Sequence, residues 1–268
     1  MRLFDSHCHL QDAAFGGEAL SAIDRAREAG VVGMVVLGYD EPSNLAALEL
    51  SRQRAGVFAA TGFHPHDAKD VTPPMLDTLA EQVGLPEVVA VGELGLDFYR
   101  DISPRGRQLE VLDAQLAIAL AADKPVCVHS RGAETAIFEP LARYSAAARR
   151  IPGVMHCFGG TLEDALRFVA LGFSVSVACT VTYPKNHEAR RIAAELPLES
   201  LLIETDSPYL PPQRMRGGRN EPSFLVAAAE AVAAVRGLDV HVLAEATTAN
   251  AERLFGVRAP APELAGSR

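Results

Sequence analysis

The chain has 268 residues, of which 49% are apolar and 22% are charged, a composition that excludes a disordered or collagen-like protein. Its apolar runs are far shorter than the ~20 residues of a membrane span, and no apolar stretch precedes a cleavage site near the N-terminus. We therefore expect a cytoplasmic protein that does not enter a membrane. The net charge of −9 argues against a non-specific coat on nucleic acid but allows a local phosphate site.

Short β-branched runs alternate with amphipathic stretches along the chain. The predicted strands are residues 3–7, 31–37, 57–62, 88–93, 125–129, 154–156, 172–177 and 201–204. The predicted helices are residues 17–29, 43–55, 74–83, 105–122, 134–148, 161–171, 186–196 and 223–236. Eight units of about 33 residues each fit one strand and one helix apiece.

This strict alternation predicts a parallel sheet, because each crossover helix covers a face of the sheet. Eight such units predict an α/β protein with the (β/α)8 TIM barrel fold. We place one barrel domain in residues 1–258 and a flexible tail in residues 259–268. A doubly wound open sheet is the alternative, but no G-x-G-x-x-G turn follows the first strand.

Histidines cluster at the predicted strand ends, which is where a barrel places its functional residues. His7 and His9 end strand one, and their two-residue spacing lets both imidazoles face the mouth of the barrel and bind one ion. His129 and His156 end strands five and six and are candidate ligands of a second ion. For Cys127 and Cys157, packing in the core is favoured over metal ligation.

Glu93 closes the apolar run of strand four, and a buried carboxylate is costly unless it is paired or binds a metal. Because no lysine ends this strand, Glu93 is the candidate bridge between two ions. Asp97 is interpreted as a helix N-cap. Asp206 follows strand eight and is predicted to bind the first ion and to orient or deprotonate the attacking water, with Glu204 orienting a histidine.

Phosphate-binding groups are predicted in the loops that follow the strands. The candidates are His64, Arg131, Arg216 and Arg219, because imidazole and guanidinium groups neutralise phosphoryl oxygens. Solvated loops are the alternative interpretation of the arginines. Phe98 and Tyr99 follow strand four, where they could stack on a base or simply pack.

Taken together, these motifs resemble the TatD family of metal-dependent deoxyribonucleases, which have amidohydrolase-like barrels. The matching segments are DSHCHL at 5–10, GFHPHDA at 62–68, VGELGLDFYR at 91–100, KPVCVHSR at 124–131, MHCFGGT at 155–161, ETDSPYL at 204–210, RGGRNEP at 216–222 and NAERLFG at 250–256. They cover nearly the whole chain.

The resemblance implies a dinuclear site with His7, His9, Glu93 and Asp206 on one ion. Glu93, His129 and His156 would hold the other ion. It implies hydrolysis of DNA phosphodiester bonds, as a 3′–5′ exonuclease acting on single strands or 3′ ends, with Asp206, Glu93 and His64 as the catalytic residues. The family commonly uses Mg or Mn, whereas four imidazoles suit Zn, Mn or Fe, so the metal stays open. We expect a monomer.

Two other functions stay open at this point. The same barrel class hydrolyses amides and esters, and a D-aminoacyl-tRNA deacylase is the example closest to nucleic acids. A non-catalytic binding barrel would lack one or more of the metal ligands, and none is missing from this sequence.

Overall fold

The computed structural model describes residues 1–260, and the eight strands found there form one parallel sheet in sequential order. The strands are β1 Leu3–Cys8, β2 Val31–Leu37, β3 Val57–Thr61, β4 Val88–Asp97, β5 Val126–Arg131, β6 Gly153–Met155, β7 Ser174–Val177 and β8 Leu201–Ile203. Backbone hydrogen bonds close the circle between β1 and the residues after β8: Asp206 N–H donates to His7 O (2.9 Å) and His9 N–H donates to Ser207 O (2.7 Å). Sequential order and closure confirm the predicted TIM barrel and exclude the doubly wound sheet.

The helices lie outside the barrel and begin and end close to the predicted positions. They are α1 Ala19–Glu28, α2 Glu41–Gln53, α3 Pro73–Val83, α4 Arg105–Ala122, α5 Glu134–Ala147, α6 Leu162–Ala170, α7 His187–Glu195, α8 Leu225–Arg236 and α9 Val240–Phe255. Local signals set several of these ends. Capping boxes begin α2 at Asp40 and α6 at Thr161, and Gly237 ends α8 in the left-handed conformation.

The prediction of eight helices was one too few, since α9 is a ninth helix within residues 1–260. Its end packs against the bottom of the barrel interior, where Phe255 and Phe4 stack with ring centroids 6.0 Å apart. Apolar side chains therefore fill the amino-terminal half of the barrel. A larger apolar cluster joins the outer faces of the strands to the helices. The polar groups are left at the carboxyl end.

Strand β4 continues four residues beyond the predicted end at Glu93 and stops at Asp97. The pairing of β4 with β5 shifts register between Val91 and Leu94, so Glu93 lies at an irregularity within the strand rather than at its end. Gly92 and Gly95 allow this close approach. A Cβ atom at Gly92 would lie 2.7 Å from Cys127 O, and one at Gly95 would overlap the carbonyl of His129.

The predicted flexible tail begins at Ala259, which is buried and donates its N–H to Glu252 Oε1 (3.0 Å). Residues 261–268 lie outside the described part of the chain, so the boundary at residue 258 stays a prediction. Within residues 1–260, no helix is long and apolar enough to cross a membrane.

Candidate metal centre

A cluster of imidazole and carboxylate groups occupies the carboxyl end of the barrel, and its first part lies at β1 and β8. His7 and His9 present their Nε2 atoms 3.1 Å apart. Both nitrogens lie 3.4 Å from Glu93 Oε2. Asp206 Oδ1 completes the group at 3.8 Å from His7 Nε2 and 3.6 Å from His9 Nε2.

The other oxygen of Glu93 faces a second pair of imidazoles, which belong to β5 and to the residue after β6. Glu93 Oε1 lies 3.0 Å from His129 Nδ1 and 2.9 Å from His156 Nε2. The two histidine nitrogens are 3.4 Å apart. The structure thus brings all six sequence-predicted metal ligands together, with one carboxylate between two pairs of imidazoles.

These spacings fit divalent metal ions. Two ligand atoms that are each about 2.1 Å from one ion in tetrahedral geometry lie roughly 3.4 Å apart. The nitrogen-to-oxygen and nitrogen-to-nitrogen distances around both carboxylate oxygens of Glu93 fall close to this value. The chemistry of the donors agrees, because imidazole nitrogen and carboxylate oxygen are ligands of zinc and manganese.

Groups behind the histidines hold three of the rings in one orientation. His9 Nδ1 donates to Leu37 O (2.9 Å), and His129 Nε2 lies 3.3 Å from Asp97 Oδ2. His156 Nδ1 lies 3.3 Å from Glu204 Oε1, the kind of contact predicted for Glu204. Each of these contacts leaves the opposite ring nitrogen facing the cluster, which is how proteins orient histidine ligands. The buried Nδ1 of His7 has no partner within residues 1–260.

Burial and close charges act in opposite directions on the carboxylates of the cluster. Burial raises the pKa of Glu93, yet the charge of His156 and the hydrogen bonds from His129 and His156 hold it well below its usual range. Asp206 is also buried, and its contacts with His9 lower its pKa. Both groups are therefore ionised at neutral pH and are available as anionic ligands.

The pKa values of the histidines shift in different directions. Burial lowers the pKa of His9, but the hydrogen bonds to Asp206 and Glu93 outweigh it and raise the pKa to about 10. Burial dominates at His7 and His64, whose pKa values are lowered. A cluster without metal thus holds protons on some of its rings, and a metal ion must displace them.

The predicted phosphate-binding residues are not all at the cluster. His64 Nε2 lies 3.5 Å from Glu93 Oε1, and Arg131 lines the same cavity. Arg216 instead lies over the ring of Tyr183, with its Cζ 5.0 Å from the ring centroid. Arg219 donates to Glu18 Oε2 (2.7 Å) and to Ala14 O (3.0 Å). In the part of the chain that the structure describes, neither Arg216 nor Arg219 lines the cavity.

The cavity above the cluster has a volume of about 730 Å³ and is open to solvent. Its wall includes Tyr39 and Tyr209 near His9, and His66 near His129. Cys157 also lines it and is only partly buried, so the prediction that this cysteine packs in the core was wrong. Polar side chains therefore line the cavity from its mouth to the metal ligands.

Sequence analysis missed the part that Asp97 plays in this wall. Asp97 is buried and is not a helix N-cap, since Pro104 occupies that position of α4. Its Oδ2 contacts both His129 and His66, at 3.3 and 2.9 Å from their Nε2 atoms. The spacing of Glu93 and Asp97 along one strand was the available signal, because residues separated by an even number share a face.

Comparisons with known proteins identify the family of the chain. The profile of the family described as TatD related DNase matches residues 4–256. The chain is 36% identical over 255 residues to the uncharacterized metal-dependent hydrolase YabD of Bacillus subtilis, covering 95% of this chain and 99% of that protein. It is 36% identical over 264 residues to the 3′-5′ ssDNA/RNA exonuclease TatD of Pantoea ananatis, covering 95% and 100%.

The crystal structure of YjjV, a TatD homologue from Escherichia coli K12, superposes with a TM-score of 0.90 at 34% identity, covering 96% of this chain and 99% of that one. A hydrolase of the TatD family from Entamoeba histolytica shares the fold, with a TM-score of 0.83 at 19% identity over 95% of this chain and 98% of that one. The sequence profile, the two close relatives and the clustered ligands lead to one conclusion: the chain belongs to the TatD family of metal-dependent hydrolases.

Proposed function

We propose that the protein is a 3′–5′ exonuclease that hydrolyses phosphodiester bonds in single-stranded DNA or at 3′ ends, using two divalent metal ions. The observation that carries this proposal is the position of Glu93, whose two carboxylate oxygens each face a separate pair of imidazole nitrogens at 2.9–3.4 Å. The name of the Pantoea ananatis relative, a 3′-5′ ssDNA/RNA exonuclease, supports the substrate and the polarity.

The ligands divide between the two ions according to the oxygen of Glu93 that they face. His7 Nε2, His9 Nε2, Glu93 Oε2 and Asp206 Oδ1 would hold the first ion. Glu93 Oε1, His129 Nδ1 and His156 Nε2 would hold the second. Four imidazoles favour manganese or zinc over magnesium, which prefers oxygen ligands. When bound, such ions lower the pKa of a coordinated water and stabilise the negative charge of the transition state.

The side chains around the ions have separate tasks in this proposal. Asp206 is ionised at neutral pH, because contacts with His9 outweigh burial, and so it can orient the attacking water and accept its proton. Burial keeps His64 uncharged, so it acts as a hydrogen-bonding group toward the phosphate rather than as a cation. Arg131 lines the cavity and supplies a positive charge for a phosphoryl oxygen.

The experiment is digestion of single-stranded oligonucleotides labelled at either end, after the protein is purified without chelator and its metal content is measured. We expect two ions per chain and a ladder of products shortened from the 3′ end, with release of mononucleotides. EDTA should abolish the reaction and manganese should restore it. Glu110→Gln, a change at an exposed residue of α4, serves as the control variant.

The same preparation should be given D-aminoacyl-tRNA in parallel. Release of free amino acid without any cleavage of DNA would refute the nuclease proposal and would favour the amide- and ester-hydrolysing alternative. The cytoplasmic location and the monomeric state stay predictions, which fractionation of cells and sedimentation of the purified protein would check.

A further inference from the structure

An arginine and a tyrosine form an exposed stack at the rim of the cavity, where β4 and β5 end. The guanidinium carbon of Arg131 lies 4.2 Å from the centroid of the Tyr99 ring. Tyr99 is 71% exposed, the highest value among the exposed large apolar and aromatic side chains of residues 1–260. An aromatic ring this exposed is available for stacking on a base.

The backbone holds this pair in place. Asp97 and Arg131 are partners in the β4–β5 ladder, and Phe98 N–H donates to Arg131 O (3.0 Å). Tyr99 N–H donates to Asp97 Oδ1 (3.1 Å), while Oδ2 of the same carboxylate faces His129 of the metal centre. The stack is therefore fixed relative to the second pair of imidazoles and does not depend on a mobile loop.

The charged end of the stack has no competing partner. In residues 1–260, the guanidinium of Arg131 neither donates a hydrogen bond to the protein nor pairs with a carboxylate, and the same holds for Arg100, the other arginine of the cavity wall. Arg219 differs, because it forms an ion pair with Glu18. Two unpaired guanidinium groups thus face the cavity from the side of β4 and β5.

Acidic residues follow β1, β2 and β3 at the mouth of the barrel. Asp12 follows β1 and accepts a hydrogen bond from Tyr209 Oη (2.7 Å), and Asp40 begins α2 just after β2. Asp67 follows β3 and lines the cavity. Carboxylates on that side repel a chain of phosphates, whereas the arginines attract it. This charge distribution favours a path for a polyanionic strand over β4 and β5 rather than over β1 to β3.

We propose that Tyr99, backed by Arg131, is the platform on which the base next to the scissile phosphate stacks, so that the strand leaves the cavity across the ends of β4 and β5. This inference rests on the proposed nuclease function and deepens it. Stacking tolerates any base, and Arg131 takes the following phosphate. A base that is still paired in a duplex cannot lie flat on Tyr99, so the platform selects single strands or frayed ends.

The test measures equilibrium binding, which needs no turnover. Fluorescein-labelled dT10 is titrated with the protein in EDTA, and anisotropy gives the Kd at several salt concentrations. We expect Tyr99→Leu and Arg131→Ala each to raise the Kd about tenfold. Tyr99→Phe keeps the ring and should stay within about twofold of the parent. Arg143→Ala, an exposed residue of α5, is the neutral control.

The salt dependence separates the two roles. Arg131→Ala should lower the slope of log Kd against log salt by about 0.7, the value of one phosphate contact to a single strand. Tyr99→Leu should leave this slope unchanged, because stacking releases no counterion. In the presence of manganese, Arg131→Ala should lose more kcat/KM toward dT10 than toward a thymidine dinucleotide, which has no phosphate beyond the scissile one. Tyr99→Leu should lose similar factors toward both substrates, because both have a base next to the scissile phosphate.

Several results would overturn this inference. They are a parent protein that does not bind dT10, a Tyr99→Leu variant with the parent Kd, or an Arg216→Ala variant that weakens binding more than Arg131→Ala. The last result would route the strand over the second arginine–tyrosine stack, that of Arg216 on Tyr183. Binding of dT10 at the platform without hydrolysis in manganese would instead refute the proposed function and leave this inference standing.

Discussion

Replacing Glu93 by glutamine removes the charge that the two halves of the metal centre share, at nearly constant side-chain shape. The carboxylate contacts the four imidazole nitrogens of the proposed ligands, two through each oxygen, at 2.9–3.4 Å, and His64 Nε2 lies 3.5 Å from Oε1. The amide of glutamine has a single oxygen. One pair of imidazoles keeps an acceptor, and the other pair faces an NH₂ group that cannot bind a cation.

The expected magnitude follows from the burial of this group. Glu93 is 4% exposed, so water does not replace its charge when the charge is removed. Loss of one partner from a buried charged pair costs on the order of 3–5 kcal/mol, which is about 10²- to 4 × 10³-fold in a metal Kd. We expect the variant to hold at most one ion per chain and to lose at least about 10²-fold in kcat/KM toward single-stranded DNA.

The number of bound ions is measured as metal content after dialysis, and the metal Kd is measured by calorimetric titration with manganese. Cleavage of a labelled oligonucleotide gives kcat/KM. Circular dichroism must show that the variant is folded, and Glu110→Gln provides the matched change at an exposed site. Two ions retained by Glu93→Gln at the parent affinity, together with full activity, would refute the assignment of Glu93 as the bridge.

Three further predictions test the scaffold and the groups behind the ligands. Gly95→Ala places a Cβ against the facing carbonyl of β5 at a φ of +144°, so we expect a loss of more than about 2 kcal/mol in unfolding free energy, measured by urea titration. Gly106→Ala is the control, because the space around Gly106 is open, and it should leave the unfolding free energy unchanged. Asp97→Asn removes the charge behind one of the second ion's imidazoles and should weaken manganese binding about 10- to 100-fold, and an unchanged titration would contradict this role. Arg25→Gln breaks the pair with Glu221 (2.6 Å), in which Arg25 outweighs burial and lowers the pKa of the carboxyl below its ordinary 4.5. A lowered pKa stabilises the fold fully above pH 4.5 and progressively less as the pH falls through the folded-state value. The variant should therefore lose about 1 kcal/mol of unfolding free energy at pH 7, after allowance for the exposed arginine, and this difference from the parent should shrink as the pH is lowered below 4.5.

Much of this molecule follows from the sequence alone, because its signals are local. β-branched runs, amphipathic periodicity and glycines at turns are properties of short segments, and eight repeats of them leave the closed barrel as the compact arrangement. The rule that barrel strands present functional groups at their carboxyl ends then singled out six histidine, glutamate and aspartate residues. The structure brings all six together.

The tertiary structure alone decided the contacts between segments that are far apart in the chain. Glu93 lies within a strand that continues to Asp97, because two glycines let β4 approach β5 where the sequence shows only an interrupted apolar run. Asp97 reaches His129 only across that strand pair. The tertiary structure also decided which arginines form ion pairs and which remain available to a ligand. Arg219 is neutralised by Glu18, about 200 positions away, whereas Arg131 lies over Tyr99 and meets no carboxylate within residues 1–260. Which cation meets a carboxylate depends on how loops from distant strands meet at the barrel mouth, and no local pattern encodes that.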